Sequence, residues 1–423
     1  MSEVKVGVLA GCAPRLVREL SAPESVSSYG GYEPVADLAG FLETVAESGL
    51  LGRGGAAFPL AVKLRAVLGS GARPVVVANG EEGEPASVKD RWLLRHRPHL
   101  VLDGLRLAAR VVDAERALVY VSDSAATRAV EDAVEELRRA RPADVRIEIK
   151  TVEPGYVAGE ETAAVRAING GPAKPSDKPP RPFEEGVDGR PTVVSNVETL
   201  ANLPFLLRHG ASAFRAVGTA ASPGTFLATI SGAGTVPGLY EVPHGTRVTE
   251  LLAAHGVSPE HVRGALMGGY FAGLLDRRVL DATLDHETCR GLGTGLGCGA
   301  ICLLTHDDCP VAVAASVMKY FDRENAGQCG SCFNGTAAMS AVLEALRDGV
   351  AEDGDLERLR RWSVVLRGRG ACGTLDGAAN LARSLLDEFP DAVARHRVAG
   401  CETCGTKPFL ADRPFEVEAM SLV

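Results

Sequence analysis

Between residues 73 and 152 the chain runs strand, helix, strand. "RPVVVANGEEGEP" (73–85) holds a short apolar strand, Val75 to Ala78, that ends in a loop crowded with acids. "RALVYVS" (116–122) and "RIEIKTV" (146–152) are two further strand candidates. They flank "AATRAVEDAVEELRRA" (125–140), whose apolar residues recur at helical spacing. Strands joined in this order through helices form a parallel sheet with crossover connections. An α/β domain is therefore predicted, with its ligand site at the carboxyl ends of the strands.

The flanking sequence extends this frame. In "EPVADLAGFLETVAESG" (33–49), Val35, Leu38, Phe41, Leu42 and Val45 share one helical face, and Gly49 is a natural stop. A glycine loop, "LLGRGGAAFP" (50–59), leads into a second helical pattern through Lys63, Leu64, Val67 and Leu68. Residues 171–191 are rich in proline and charge and read as loop, after which "TVVSNVETLANLPFLLRHG" returns to helix. From Gly224 the texture changes to strand, Val-Pro-Gly turn, strand and helix, the kernel of a small α+β unit. Residues 310–396 are helical nearly throughout, a predicted bundle with cysteines in two of its loops, followed by a tail carrying "CETC" at 401–404.

A chain of 423 residues is too long for one core and implies several compact units. Its 45 basic and 54 acidic residues leave a net charge of −9, which argues against a nucleic-acid partner. The longest apolar run, "PVAVAASVMKYF" at 310–321, stops at Asp322, short of the roughly 18 residues of a membrane span. The N-terminus lacks the basic start and long apolar middle of a signal peptide, so a cytoplasmic protein is expected. Reduced cysteines follow from that, and the ten in this chain read as core thiols and metal ligands rather than disulfides.

Three features carry chemistry. In the glycine loop, Gly52, Gly54 and Gly55 let backbone approach a flat or phosphorylated ligand, although a tight turn would use the same residues. Glu81, Glu82 and Glu84 follow the first strand at its carboxyl end. They would repel phosphate but accept hydrogen bonds from sugar hydroxyls; the plainer reading is a solvated acidic turn. A second acidic loop, "GYVAGEET" with Tyr156, Glu160 and Glu161, follows the 146–152 strand, and together the two suggest a ligand bearing ribose or ribityl. Finally, Cys329 and Cys332 bracket a Gly-Ser turn, the spacing that brings two thiolates to one metal, and Cys372 returns as a third. A zinc site with an unseen fourth ligand fits that trio equally well.

In this order the motifs resemble the NADH-oxidising flavoprotein subunit of respiratory complex I and the diaphorase subunits of NAD-linked hydrogenases and formate dehydrogenases. The likeness rests on "GRGGAAFP", "NGEEGEPASVKDR", "GYVAGEETA", "KPPRPFEEGVDGRPTVVSNVETL" and "GLYEVPHGT", and runs from about Gly30 to about His396. It implies a Rossmann-like parallel-sheet FMN and NAD domain over 60–218 behind an N-terminal helical segment and glycine loop (1–59). It further implies a ubiquitin-like (β-grasp) α+β domain over 219–309, a helical bundle with an iron–sulfur region over 310–397, and a cysteine-containing tail at 398–423.

Carried over by motif, Gly52, Arg53, Gly54, Gly55, Lys63, Asn79, Glu81, Tyr156, Glu160, Asn196 and Thr199 would hold FMN. Phe58, Glu84, Glu161 and Lys178 would line the nicotinamide site, with Glu82 in the same acidic loop. The implied activity is oxidation of NADH or NADPH at FMN, with single electrons passed through a [4Fe–4S] cluster to a thioredoxin-like [2Fe–2S] or ferredoxin-type partner within a larger oxidoreductase complex. No catalytic acid or base is needed, because hydride transfer depends on stacking geometry. The alternatives are a flavin-bearing assembly subunit that no longer oxidises NADH, and a protein that takes electrons from a reduced ferredoxin.

The departures from the family pattern matter as much. Its cluster run opens with a cysteine where this chain has Ala326, so Cys329, Cys332 and Cys372 match and the first ligand does not. Three outcomes are open: another group fills the place, with Cys401 or Cys404 the leading candidates and water or Asn325 as alternatives; three thiolates hold a labile or three-iron cluster; or the site is empty. "CETC" as a separate zinc half-site or redox disulfide is a competing reading of the tail. Two aromatics that sandwich adenine in the family are Ala66 and Arg181 here, which weakens stacking and raises NADPH as a substrate. Cys289, Cys298, Cys302 and Cys309 are expected to be core thiols.

Overall fold

The computed structural model describes residues 4–18, 23–69, 72–141, 144–398 and 401–418. Ten strands, β1 (Lys5–Val8), β2 (Val75–Asn79), β3 (Arg116–Val121), β4 (Arg146–Thr151), β5 (Thr192–Asn196), β6 (Thr225–Gly232), β7 (Gly238–Pro243), β8 (Val262–Met267), β9 (Leu274–Leu275) and β10 (Ala300–Thr305), form two sheets.

The first sheet has the order β4-β3-β2-β5 and is parallel throughout. Its β2, β3 and β4 are the predicted strands, whereas β5 opens the stretch "TVVSNVETL", which is expected to be helix and becomes so only from Val197. Val75, Val76, Val77 and Ala78 of β2 are fully buried. Val76 and Ala78 face a core shared with the helices Leu38–Ser48 and Pro98–Val111, while Val75 and Val77 face Ala164 and Ala167 of the helix Glu161–Ile168. Burial on both faces explains why β2 is a continuous apolar run rather than an alternating one. From β2 the chain steps outward to β3 and β4, then returns to lay β5 on the other side of β2. Such a reversal opens a crevice beyond the carboxyl ends of the two strands. The helix Leu38–Ser48 starts where Asp37 accepts the Gly40 N–H at 2.9 Å and stops at Gly49, whose φ of +67° only glycine adopts without strain.

The second sheet is mixed, in the order β1-β7-β6-β10-β8-β9. The β6–β7 hairpin is antiparallel, β10 runs parallel to β6, and β8 is antiparallel to β10. An N-terminal segment expected to be helical instead contributes β1, which pairs in parallel with β7. The buried carboxylate of Glu241 on β7 draws the following turn inward. It accepts the N–H groups of Arg15, Leu16 and Val17 at 2.9–3.0 Å and the Thr225 hydroxyl at 2.8 Å. One acidic side chain thus satisfies three backbone donors that would otherwise lack partners.

Residues 310–398 form five helices, Pro310–Glu324, Gly330–Arg347, Asp353–Val365, Thr374–Glu388 and Pro390–Val398. The apolar run 310–321 is the central helix of this bundle, buried on nearly every side. Among the described residues no helix is long and apolar enough to cross a membrane.

An ion network binds the parallel sheet to the mixed one. Lys89 Nζ, buried at the start of the helix Lys89–His96, lies 2.7 Å from Asp90, 3.0 Å from Glu198 and 3.2 Å from Asn196 Oδ1. Glu198 also accepts the Leu227 N–H of β6 at 2.9 Å and faces Arg53 at 3.9 Å. Burial works against the Lys89 charge, but Asp90, Glu198 and Glu82 outweigh it and hold the ammonium protonated. Removing one partner of a buried network strands the others. Lys89→Ala is expected to lower unfolding free energy by about 3–5 kcal/mol in urea titrations. A loss below about 1 kcal/mol, the range of exposed pairs, would show that the network is solvated.

Candidate functional site

The glycine loop closes on itself: Leu51 bridges Pro59, and the Gly52 N–H donates to Phe58 O at 2.9 Å. Its apex lies over the β2–β5 crevice. A Cβ on Gly54 would stand 3.3 Å from that of Asn196 at the end of β5, and one on Gly55 would stand 3.9 Å from the backbone of Gly297 and Cys298. Bare backbone at these positions keeps clear the space between loop, strand end and the 297–298 turn. Two residues assigned to the cofactor from sequence turn the other way. The Arg53 guanidinium is buried against Thr225 O at 3.0 Å and Pro223 O at 3.4 Å, and the Thr199 hydroxyl accepts the Arg53 N–H at 2.8 Å. Both brace the loop from beneath. Phe58 is 45% exposed, and Lys63 reaches from the next helix to Val194 O at 2.9 Å and Glu161 at 3.3 Å.

The two acidic loops meet, backbone against backbone. A Cβ on Gly83 would fall within 2.9 Å of Gly155 O, Tyr156 O and Tyr156 Cα, so no other residue fits there. Asn79 Nδ2 donates to Gly159 O at 2.7 Å across the same seam. Glu81 is buried at the join, accepting the Gly155 N–H at 3.1 Å and the Ser122 hydroxyl, and burial raises its pKa. Glu82 does not face a ligand. It accepts the N–H groups of Asp90 and Arg91 at 3.2 and 3.1 Å and pairs with the Arg91 side chain, so it caps a helix. Glu160 caps the helix Glu161–Ile168 through the Thr162 and Ala163 N–H groups, and its other oxygen holds Lys178 at 2.6 Å. Lys178 is also 4.0 Å from Glu161. Asn196 caps the helix Val197–Ala201 and bonds Asp90 at 2.7 Å, which ties the crevice to the buried network. Lys89, Asp90 and Glu198 are site-supporting residues that sequence reasoning missed. Their only signal was three charges inside "NGEEGEPASVKDR" and "TVVSNVETL".

Glu84 projects from the acidic loop onto the mixed sheet. It accepts the Tyr270 N–H at 2.9 Å and the Ala86 N–H at 3.3 Å, and it lies flat on Gly269, where a Cβ would collide with it at 2.6 Å. Burial pushes its pKa up to about 7. Tyr156 stands next to it, edge-on to Tyr320 and Phe321 at centroid distances of 5.7 and 5.4 Å. Burial raises the Tyr156 hydroxyl pKa, and Glu84, Tyr320, Cys298 and Cys372 around it push the same way. Tyr156 packs the second acidic loop onto the bundle helix Pro310–Glu324. Cys298, expected to be a core thiol, lies in this neighbourhood also, beside Glu84. Cys289 and Cys302 are core thiols as expected.

Cys329, Cys332 and Cys372 converge between the helix Gly330–Arg347 and the loop before Thr374. The Ala371 N–H donates to Cys329 Sγ at 3.4 Å, and burial pushes Cys332 up to about 12, with Cys372 and Cys329 adding to the shift. The Asn325 amide is already engaged with Asp322 O at 2.5 Å, Thr336 at 3.2 Å and the Gly327 N–H at 2.9 Å, so it is not free to act as a fourth ligand. Nor do Cys401 and Cys404 fill that place. They stand with Cys309 and His396, a separate group in which all four ligand atoms lie within 4.8 Å of one another. The presence of spare cysteines in the tail, which made Cys401 and Cys404 the leading candidates, carried no information on where the tail folds back.

Comparison with known proteins agrees with this arrangement. Residues 45–205 match the Nuo51 FMN-binding domain, and residues 312–396 match the NADH-ubiquinone oxidoreductase-F iron–sulfur binding region. The chain is 32% identical to the F 2 subunit of the NADH-quinone oxidoreductase of Rhizobium meliloti (strain 1021), over 90% of this chain and 97% of that one. It is 31% identical to the HndC subunit of the NADP-reducing hydrogenase of Solidesulfovibrio fructosivorans, over 88% and 81% of the two chains. A crystal structure of NAD+-reducing [NiFe]-hydrogenase in the air-oxidised state superposes with a TM-score of 0.79 at 32% identity, covering 85% of this chain and 63% of that one. The site therefore belongs to a flavin- and iron–sulfur-dependent oxidoreductase. The chain is a member of the NADH-ubiquinone oxidoreductase-F family.

The residues present fit FMN: an open glycine apex over a strand crevice, with Asn79, Glu81, Lys63 and Asn196 at its rim. They fit an iron–sulfur cluster with three thiols and one position that is not cysteine.

The raised Glu84 pKa makes stability pH-dependent. A carboxyl that binds its proton more tightly when folded stabilises the fold below its unfolded pKa, and that contribution is lost as pH rises through about 7. Glu84→Gln is expected to flatten the fall in stability of the wild type between about pH 4.5 and 7, read from urea midpoints across that range. Parallel pH profiles for the two proteins would contradict it.

Proposed function

We propose that the chain oxidises a reduced nicotinamide dinucleotide at FMN in the β2–β5 crevice and passes single electrons through the Cys329–Cys332–Cys372 site to a partner protein. The apex of the glycine loop over the β2–β5 crevice, where Gly54 meets Asn196, is the observation that carries this reading. When bound, FMN supplies the exchange between two-electron and one-electron chemistry.

The chain's own groups provide position and environment. The glycine apex lets a planar ring lie against backbone. Glu81 and Asn79 offer acceptors for a polyol chain where an acidic side chain would repel phosphate. Phe58 presents an exposed ring for stacking, and Glu84 and Glu161 offer carboxyl oxygens to ribose hydroxyls, with Lys178 and Lys63 offsetting the charge of Glu161. Packing of Tyr156 on Tyr320 and Phe321 keeps water out of the space between the two sites. Near the cysteines, Phe333, Val364 and Val365 are exposed apolar side chains, suited to a docked thioredoxin-like [2Fe–2S] or ferredoxin-type protein.

NADPH is the second reading. The Arg181 backbone N–H bonds Glu184 at 2.7 Å and the residue is exposed, three positions from Lys178, so its guanidinium can meet a 2′-phosphate. Anaerobically purified protein is expected to show flavin bands that bleach on addition of NADH or NADPH. Flavin bleached by neither nucleotide would replace the oxidoreductase with a non-oxidising flavin subunit. Equal bleaching rates would remove the NADPH preference.

The cluster reading has its own test. Ala326→Cys is expected to raise iron and sulfide per chain and to slow iron loss in air. No gain would show that another group completes the site.

A further inference from the structure

The cysteines and histidine outside the cluster site form a second metal site. Cys309 ends the mixed-sheet unit and caps the central bundle helix, His396 lies on the last bundle helix, and Cys401 and Cys404 flank the first turn of the short helix Glu402–Thr406. His396 Nε2 is 3.1 Å from Cys309 Sγ and 3.7 Å from Cys404 Sγ, and all four ligand atoms fall within 4.8 Å of one another. Zinc bonds of about 2.3 Å to sulfur and about 2.0–2.1 Å to nitrogen set tetrahedron edges of about 3.5–3.8 Å, so one ion at the centre needs only small shifts. An iron–sulfur cluster spreads its outer ligands much further apart.

The surroundings agree. The Nδ1–H of His396 donates to Arg347 O at 3.1 Å, which fixes the tautomer and aims the Nε2 lone pair at the three sulfurs. Cys309 stands at the N-terminus of the central bundle helix, an end that favours thiolate over thiol. Zn²⁺ with three thiolates and one neutral imidazole carries a net charge of −1, and Arg263 and Arg347 stand within electrostatic reach of these sulfurs. Cys309 and His396 are 3% and 2% exposed, so the ion would be enclosed by protein, as in a structural rather than a catalytic site.

From this group the tail runs back along the bundle to the acidic loop. Phe409 O accepts from Ser316, Asp412 O from Arg323, and Pro414 O from the Tyr270 hydroxyl. Val417, buried, then pairs its N–H with Pro85 O at 2.9 Å while its carbonyl accepts from Arg91 at 2.9 Å. Pro85 directly follows Glu84 in the chain. We propose that Cys309, His396, Cys401 and Cys404 bind one structural Zn²⁺ that anchors this tail as a strap behind the nucleotide-facing acidic loop.

The test is metal content of the full chain, purified anaerobically with a thiol reductant and no chelator from zinc- and iron-replete cells. About one zinc per chain is expected. A Cys329→Ser, Cys332→Ser, Cys372→Ser protein should lose iron and keep zinc, while Cys401→Ser with Cys404→Ser, or His396→Gln alone, should lose zinc and keep iron. Cobalt added to the cluster-free protein should give sulfur-to-cobalt charge-transfer bands and the strong visible bands of a tetrahedral site. After chelation, chymotrypsin should cut at Phe409 and Phe415 of the tail several-fold faster. Wild-type protein without zinc, zinc lost with the Cys329 group, iron held by the Cys401 group, or unchanged chymotrypsin cleavage after zinc removal would each overturn the proposal. Should the serine variants not fold, wild-type zinc content and the cobalt spectrum decide it. None of these readouts depends on flavin or on nucleotide oxidation, so they separate this site from the proposed function.

Discussion

Lys89 is the point on which the arrangement turns. Its ammonium is buried among Asp90, Glu198 and Asn196, which come from two helices and a strand end that otherwise have no reason to hold one orientation. Glu198 extends the network to β6 and toward Arg53 beneath the glycine loop; Asn196 extends it to the crevice. Hydrophobic packing alone is non-directional and tolerates sliding. A charged network with each oxygen assigned a donor tolerates little, because any misfit leaves a buried ion without its partner. The glycine loop, the helix that Glu82 caps and the interior strand β6 of the mixed sheet are thereby fixed relative to each other before any ligand arrives.

The same economy of contact joins the two acidic loops. Glycine at position 83 allows the backbones to touch, and that touch brings Glu81 into a buried position between Ser122 and Gly155. Acids that look alike in sequence then divide by what surrounds them. Glu82 and Glu160 cap helices, Glu81 is enclosed at the seam, Glu84 rests on Gly269, and Glu161 meets two lysines. Composition of the loop announces acidity, and only the packing assigns each carboxylate its task.

Much of the frame was legible in the chain. The strands β2, β3 and β4 and the helix between β3 and β4 follow from periodicity, and Gly49 ends its helix as expected. Motif order led to the correct family. What escaped was decided by contacts distant in sequence. β1 is a short, half-exposed strand that pairs, among the described residues, with β7 alone, so nothing local marks it. Lys89 and Asp90 read as ordinary surface charges until Glu198 folds over them. Cys309 reads as a core thiol, as its burial confirms, but its partners arrive from the last bundle helix and the tail. Local pattern reports which face of an element is apolar; it does not report which remote side chain will meet a given sulfur or carboxylate.

The strap from Cys401 to Val417 has a consequence in time. A ribosome releases residues 401–418 only after the parallel sheet, the mixed sheet and the five-helix bundle have all been made, and the segment has contacts with each layer it crosses. Its seat beside Pro85 exists only once Arg91 and Tyr270 are already in place. Closure of the tail therefore needs the acidic loop, the mixed sheet and the bundle already formed, so the strap reports on the assembly of all three.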